Sequence, residues 1–243
     1  GPPVIAAAAI DAMLAREQDR FAAANPRAQA LARQAQRHWH RGVPFHWMLD
    51  WATPFPLFAD RAVGAELWDV DGHRYDDFCL GDTGAMFGHS PPPIAKAIAR
   101  RAARGLTFML ATEDAPVVAD ELDRRFGLPY WQVTSTASEA NRAVIRWCRA
   151  VTGRSTVLTF NGCYHGAVDD VFVDLEAGEP VMRRSLVGQV YDMRAHTRVV
   201  EFNDLPALET ALAPGDVACV ITEPALTNVG MVLPDPGYLE ALR

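Results

Sequence analysis

Through the second half of the chain, short apolar runs alternate with helix-length amphipathic stretches, and this alternation constrains the fold more than any other feature. From Ala115 the pattern predicts a helix over 115–126, a strand over 130–135, a helix over 138–151 and a strand over 156–160. Strand-like runs recur over 171–173, 199–202 and 217–222, with a helix over 205–212. Strands this apolar need cover on both faces, so the pattern predicts an α/β fold with a mostly parallel sheet covered by helices. Ligands of such sheets sit outside the carboxyl ends of the strands. Ser135, Asn161 and Glu223 each follow or end a predicted strand, so three distant segments are expected at one edge.

The stretch from Val133 to Gly166 says what that edge could hold. A run of small hydroxyl residues, Thr134-Ser135-Thr136-Ala137-Ser138, leads directly into the helix that follows. The first turn of a helix has amides without intrahelical partners and a positive dipole end, which suit a phosphate. Thr136 and Ser138 add hydroxyls there, although an ordinary helix cap would use the same residues. After the next predicted strand, Asn161-Gly162 makes a tight turn that presents Tyr164 and His165. A phosphate cup beside an aromatic platform suits a phosphorylated, flat, heteroaromatic cofactor.

These segments resemble the class III pyridoxal-phosphate (PLP) aminotransferases, most closely the branch containing glutamate-1-semialdehyde aminomutase. Thr136-Ala137-Ser138-Glu139-Ala140-Asn141 stands where that family carries Ser-Gly-Thr-Glu-Ala-Asn, and Gly162 to Gly166 matches its Gly-Cys-Tyr-His-Gly. Glu223-Pro224-Ala225-Leu226-Thr227-Asn228 and the segment from Pro234 to Arg243 resemble its Glu-Pro strand end and following helix. Weaker echoes lie at Leu67 to Gly72 and Gly88 to Pro91. The resemblance runs from about Pro56 to the last residue and implies the fold of type I PLP-dependent transferases, represented by its N-terminal and cofactor-cup portion. It implies PLP held by Thr136, Ala137, Ser138, Tyr164, Glu223 and Asn228, with Tyr164 stacked on the ring and Asn228 near its 3-oxygen. His165 is a further candidate for proton transfer, against the blander reading of a structural histidine. Gly81-Asp82-Thr83-Gly84 stands where the family commonly has an aromatic near the substrate, so no particular substrate carries over.

The family also needs a Schiff-base lysine and an Asp for the pyridinium nitrogen, both placed downstream of this sequence. Lys96 is the single lysine here, against 22 arginines, and its amphipathic setting reads as a solvated helix face. The catalytic lysine and Asp are therefore expected outside this chain. The resulting expectation is amino-group transfer on an amino acid or amine and a carbonyl substrate, or the cofactor-cup part of such an enzyme. An aminomutase or epimerase on the same fold is one alternative; a non-catalytic subunit or fragment is another.

The rest of the chain divides by pattern into N-terminal helices and an aromatic arm over 1–55, a hairpin, Gly-rich loop and linking helix over 56–110, and the partial PLP-binding domain over 111–243. The helical stretch breaks at Asn25-Pro26. Asp71-Gly72 signals a hairpin turn within 65–80, and a helix is expected over 91–104. Phe45, Trp47, Trp51 and Phe55 are expected to pack against the body of the fold, with a place at the active-site mouth as the alternative. A net charge of −7 and the lack of a basic run argue against nucleic acid. Four cysteines without metal or disulfide-framework spacing suit a reducing cytoplasm. No metal site, signal peptide or membrane span is expected. A homodimer, or a complex with a lysine-bearing chain, is the expected assembly.

Overall fold

The computed structural model describes residues 6–184 and 186–243. The chain forms two compact units, Gly1–Ala111 and Thr112–Arg243.

The first unit begins with α1 (Ala7–Ala24) and α2 (Pro26–Ala35). Asn25 separates them with a non-helical backbone, and its side-chain amide donates to the Phe21 carbonyl at 2.8 Å. Pro26 can open α2 because a first-turn amide has no partner to lose. The next two amides are capped from far along the chain: Arg27 and Ala28 donate to the Asp71 carboxylate at 2.8 and 2.9 Å.

Asp71 lies in the turn of an antiparallel sheet ordered β1 (Ala59–Val63), β2 (Glu66–Asp69) and β3 (Arg74–Asp76). The hairpin expected at Asp71-Gly72 is present, with Gly72 at φ 91°, and β1 extends the sheet beyond it. Buried Asp69 ties the turn by accepting from the Asp71 and His73 amides and from the Tyr75 hydroxyl. Burial opposes ionisation of Asp69, but the bonds from Tyr75 and His73 prevail and hold its carboxyl below the usual value. Burial, then the bond to Asp69, pushes the Tyr75 phenol up to about 12.

Helix α3 (Pro92–Ala102) carries Lys96, which is exposed. The aromatic arm corrects the packing expectation. Phe55 meets Phe21 at 5.0 Å between ring centroids, but Phe45 and Trp47 stack on each other and stay exposed, as does Trp51.

The second unit holds a parallel sheet ordered β7-β4-β8, formed by β4 (Thr156–Phe160), β7 (Thr197–Val200) and β8 (Val217–Val220). Side chains alternate across β4, so its two faces reach two cores. Leu158 and Phe160 pack with Val200, Leu208 and Tyr238, under α6 (Leu205–Leu212) and α7 (Tyr238–Leu242). Val157 faces Ile145 of α5 (Ala137–Thr152), with Val168 and Val171. The Asp204 carboxylate caps α6 by accepting from Ala207 N at 2.9 Å. Helix α4 (Asp114–Phe126) ends at Gly127, whose φ of 65° suits the stop.

Three strand expectations change. Residues 130–135 form no strand: the run makes no ladder bonds, and Tyr130 and Val133 are 92% and 90% exposed. The run over 171–173 instead closes a 3-10 turn, Asp169–Val171, and opens β5 (Val173–Glu176). β5 pairs with β6 (Glu179–Met182) in an antiparallel hairpin that the alternation did not signal. The strand expected at 199–202 begins two residues earlier, because β7 pairs along β4 from Thr197.

Candidate functional site

The site is built where β4 ends, entirely within the second unit. Asn161 continues the ladder by donating its amide to the Val200 carbonyl at 2.9 Å. Its side chain donates to Glu201 and accepts from Leu175 N, so it joins the ends of β4, β7 and β5. Gly162 then turns with φ 75°, and a Cβ there would stand 2.8 Å from a Val229 methyl.

From Cys163 to Ala167, four backbone groups are fastened by side chains from other segments. The Cys163 carbonyl accepts from Arg183 Nη2 at 3.1 Å, and the Tyr164 amide donates to Glu223 Oε2 at 3.0 Å. The His165 carbonyl accepts from Asn141 Nδ2 at 3.0 Å. Gly166 passes so close to α5 that a Cβ would lie 2.2 Å from Ser138 Oγ, and its φ is 80°. The Ala167 amide donates to that same Ser138 oxygen at 2.9 Å. The loop is thus locked onto the first turn of α5.

That first turn is shaped from within. Thr136 Oγ1 accepts from Glu139 N at 3.2 Å, while the Glu139 carboxylate reaches back to Ser135 N at 2.9 Å. This reciprocal pattern is a capping box shifted by one residue. It leaves the Ala137 and Ser138 amides at the open end of the helix, facing outward with the positive dipole end. The Ser138 oxygen is engaged by Ala167, but its proton remains available to an acceptor.

Each sequence-derived candidate can now be located. Thr136 caps the helix that Ala137 and Ser138 open, and Tyr164 follows beside it, 59% exposed and with its amide pinned. Glu223 is turned inward: one oxygen holds Tyr164, and the other accepts from Thr227 N and Oγ1. It therefore fixes the loop and is not a free acceptor. Asn228 is exposed on a turn closed by paired bonds between Leu226 and Val232, next to the Val229 that covers Gly162.

His165 is 7% exposed, and its Nε2 has no hydrogen-bond partner among the described residues. Burial lowers its pKa, the Arg183 cation acts in the same direction, and Glu223 opposes both. Cys163 is fully buried against Thr159 Oγ1 at 3.0 Å, and burial pushes its thiol up. It packs beneath the turn and lacks the exposure a nucleophile needs.

Sequence reasoning missed Arg183 and gave Asn141 no role. Arg183 also grips Asp174 through Nε and Nη2, at 2.8 to 3.2 Å, and is half-buried. Nothing local marks it, because its partners lie on the far side of the β5–β6 hairpin. Asn141 closes the quoted helix-start motif, and that position was its signal. Among the described residues no cluster of three or more metal-ligating side chains occurs, and no helix is long and apolar enough to cross a membrane.

Comparison with known proteins bears on this geometry directly. The model of the family described as aminotransferase class-III matches residues 48–243. A glutamate-1-semialdehyde 2,1-aminomutase of Bordetella avium is 37% identical over 193 residues, spanning 77% of this chain and 45% of that protein. The same-named protein of Chloroflexus aggregans is 38% identical over 77% of this chain and 44% of its own length. A solved glutamate-1-semialdehyde-aminomutase from Pseudomonas aeruginosa superposes with a TM-score of 0.92 at 50% identity, over 98% of this chain and 53% of that one. A variant of that enzyme is solved in complex with PMP. A β-phenylalanine aminotransferase from Variovorax paradoxus aligns with a TM-score of 0.81 at 28% identity, over 96% of this chain and 52% of that one. The chain thus spans about half the length of the relatives it matches, and the fold is that of type I PLP-dependent transferases. The matched residues include the whole Ser138–Gly166 lock, and the chain belongs to the class-III aminotransferase family.

Proposed function

We propose that these residues form the cofactor cup of a PLP-dependent enzyme that transfers amino groups on an amino acid or amine. The observation that carries this reading is the lock between α5 and the loop after β4. It sets an outward-facing helix start beside a pinned but exposed tyrosine ring. A phosphate fits the Ala137 and Ser138 amides with the Thr136 and Ser138 hydroxyls, because charge-assisted bonds to an anion are strong. A flat pyridine fits against Tyr164, and Asn228 can donate to a ring oxygen without adding charge.

Bound there, the cofactor supplies an electron sink for carbanion chemistry next to its carbonyl or amine carbon. The chain's own residues hold and orient it. Glu223 and Arg183 keep the Tyr164 loop in place, and burial favours the neutral form of His165 beside it. Lys96, the single lysine of the sequence, is exposed on α3, and this reading gives it no part in holding the cofactor.

A second reading, an aminomutase that moves the amino group within one substrate, is favoured by the 50% identity to the Pseudomonas enzyme. The assembly we propose is a homodimer or a pairing with a lysine-bearing chain. It is supported by exposed Trp47 and Trp51 on an apolar groove of about 840 Å³. Four cysteines without disulfides support a cytoplasmic setting.

Pyridoxamine phosphate is the probe for the cup, since its binding requires no lysine. Calorimetric titration should give measurable binding that weakens about ten- to a hundredfold in Ser138→Ala, through a lost bond to a charged group. Tyr164→Ala should weaken it about tenfold, and His165→Ala less. No binding by the wild type, or unchanged affinity in both Ser138→Ala and Tyr164→Ala, would overturn the reading. So would a stoichiometric pyridoxyl adduct on Lys96 after borohydride treatment with PLP.

A further inference from the structure

Two of the four cysteines, 71 residues apart in sequence, lie on elements that pack together. Cys148 lies in the fourth turn of α5, and Cys219 is the third residue of β8. The helix packs against that strand, and Cys148 lies near enough to Cys219 to act on its thiol. Their elements are held in register by the core beneath them. Cys219 packs with Ile145 and Val157, and Ile145 precedes Cys148 by three residues on the same helix face. Neither thiol is in a disulfide, and both are partly accessible to solvent. Cys163 is sealed, whereas Cys79 is exposed and belongs to the other unit.

We propose that Cys148 and Cys219 are a redox-responsive dithiol site, closed to a disulfide by a hydroperoxide and reopened by a small-molecule thiol. The Cys148 sulfur attacks the terminal peroxide oxygen. The O–O bond breaks, the leaving oxygen takes up a proton, and Cys148 becomes a sulfenic acid. The Cys219 sulfur then attacks that sulfur; the S–S bond forms, the S–O bond breaks, and water leaves with the thiol's proton. The two thiols lose two electrons in all, and the peroxide gains them. Burial, reinforced by the neighbouring Cys148, pushes the Cys219 thiol up to about 11, so Cys148 is the sulfur that meets the oxidant first.

The disulfide would join the two elements that carry the cup. α5 opens at Thr136–Ser138, and β8 leads within three residues to Glu223. Oxidation therefore cross-links the phosphate side of the cup to the side that holds Tyr164. Transient disulfides of this kind are the form expected in a reducing compartment.

Cysteine mapping by mass spectrometry tests the site. The native protein is treated with stoichiometric hydrogen peroxide, denatured, alkylated and digested, in a Cys79→Ser background that removes the exposed thiol. The expected product is one cross-linked peptide pair containing Cys148 and Cys219, lost on adding dithiothreitol and absent from Cys148→Ser and Cys219→Ser. In Cys219→Ser, Cys148 should be trapped as sulfenic acid by dimedone, which separates the two steps. As a check that needs no substitution at the pair, phenylarsine oxide, which bridges adjacent thiols, should protect both from alkylation. Recovery of both cysteines fully alkylated after peroxide would overturn the proposal. Recovery of Cys148 only as sulfinic acid, or a cross-link between chains, would do the same.

Discussion

Two apolar runs of the second unit, residues 130–135 and 156–160, look alike in sequence and have different fates. Each is short, each contains aromatic and β-branched residues, and each precedes a turn rich in small polar residues. β4 has β7 on one side and β8 on the other, and four of its five residues are buried. The earlier run has no strand beside it among the described residues, and its apolar side chains are exposed. A strand is defined by its neighbours, since its backbone bonds all go to other segments. Yet the turns that follow both runs are ordered by the same kind of device, side chains bonding to backbone N–H and carbonyl groups. The first is local, the Thr136–Glu139 capping box; the second gathers Ser138, Asn141, Arg183 and Glu223 from across the unit.

The contrast can be broken most decisively in the core. Leu158→Ala should cost about 2–5 kcal/mol in urea unfolding, because the side chain is fully buried among well-packed neighbours. A loss under about 1 kcal/mol would mean that β4 is not the centre of the core.

Gly166→Ala comes next. The added methyl would meet Ser138 Oγ at 2.2 Å, in a backbone conformation that disfavours alanine, so about 1–3 kcal/mol should be lost. Pyridoxamine phosphate binding should weaken with it, whereas Gly153→Ala, with open space around its Cβ, should spare binding. Equal loss of binding in the two variants would show that the lock does not shape the cup.

Thr136→Ala removes a helix cap and should cost about 1 kcal/mol, with Thr136→Ser restoring most of it. No difference between the Ala and Ser variants would mean that the capping oxygen is dispensable.

A smaller effect is expected from pH. Burial lowers the His165 pKa below its unfolded value of 6.5, so between the folded and unfolded values the unfolded chain binds more protons. Stability from this group is present above pH 6.5 and is lost as pH falls through the folded pKa. The urea midpoint of the wild type should therefore drop more between pH 7.5 and 5.5 than that of His165→Asn. Parallel pH profiles would remove the buried neutral imidazole from the account. Smallest of all, Val133→Ala should change stability by less than about 0.5 kcal/mol, since the side chain is 90% exposed. A core-sized loss there would break the comparison from the other side.

Much of the candidate site could be read in the chain. The helix start at Thr136–Ser138, the turn at Asn161-Gly162 and the exposed Tyr164 follow from local composition, and Gly166 stands where only glycine fits. Glu223 was legible as a strand-end residue of the site, but not as the holder of the Tyr164 amide. Arg183 was not legible at all. It acts through the Cys163 carbonyl, twenty residues away, and no spacing rule connects a guanidinium to a carbonyl across a hairpin.

By itself the sequence determined what is built from neighbours within four residues: helices α3 to α6, the Thr136 and Asp204 caps, the glycine stops, and the tight turns. Such elements satisfy their own backbone bonds, so composition and period suffice to find them. Tertiary structure decided which apolar run became a strand, what fastens the Tyr164 loop, and that α5, with Cys148, packs on β8, with Cys219. Each of these depends on groups dozens of residues apart, and only chain packing sets the distances between them.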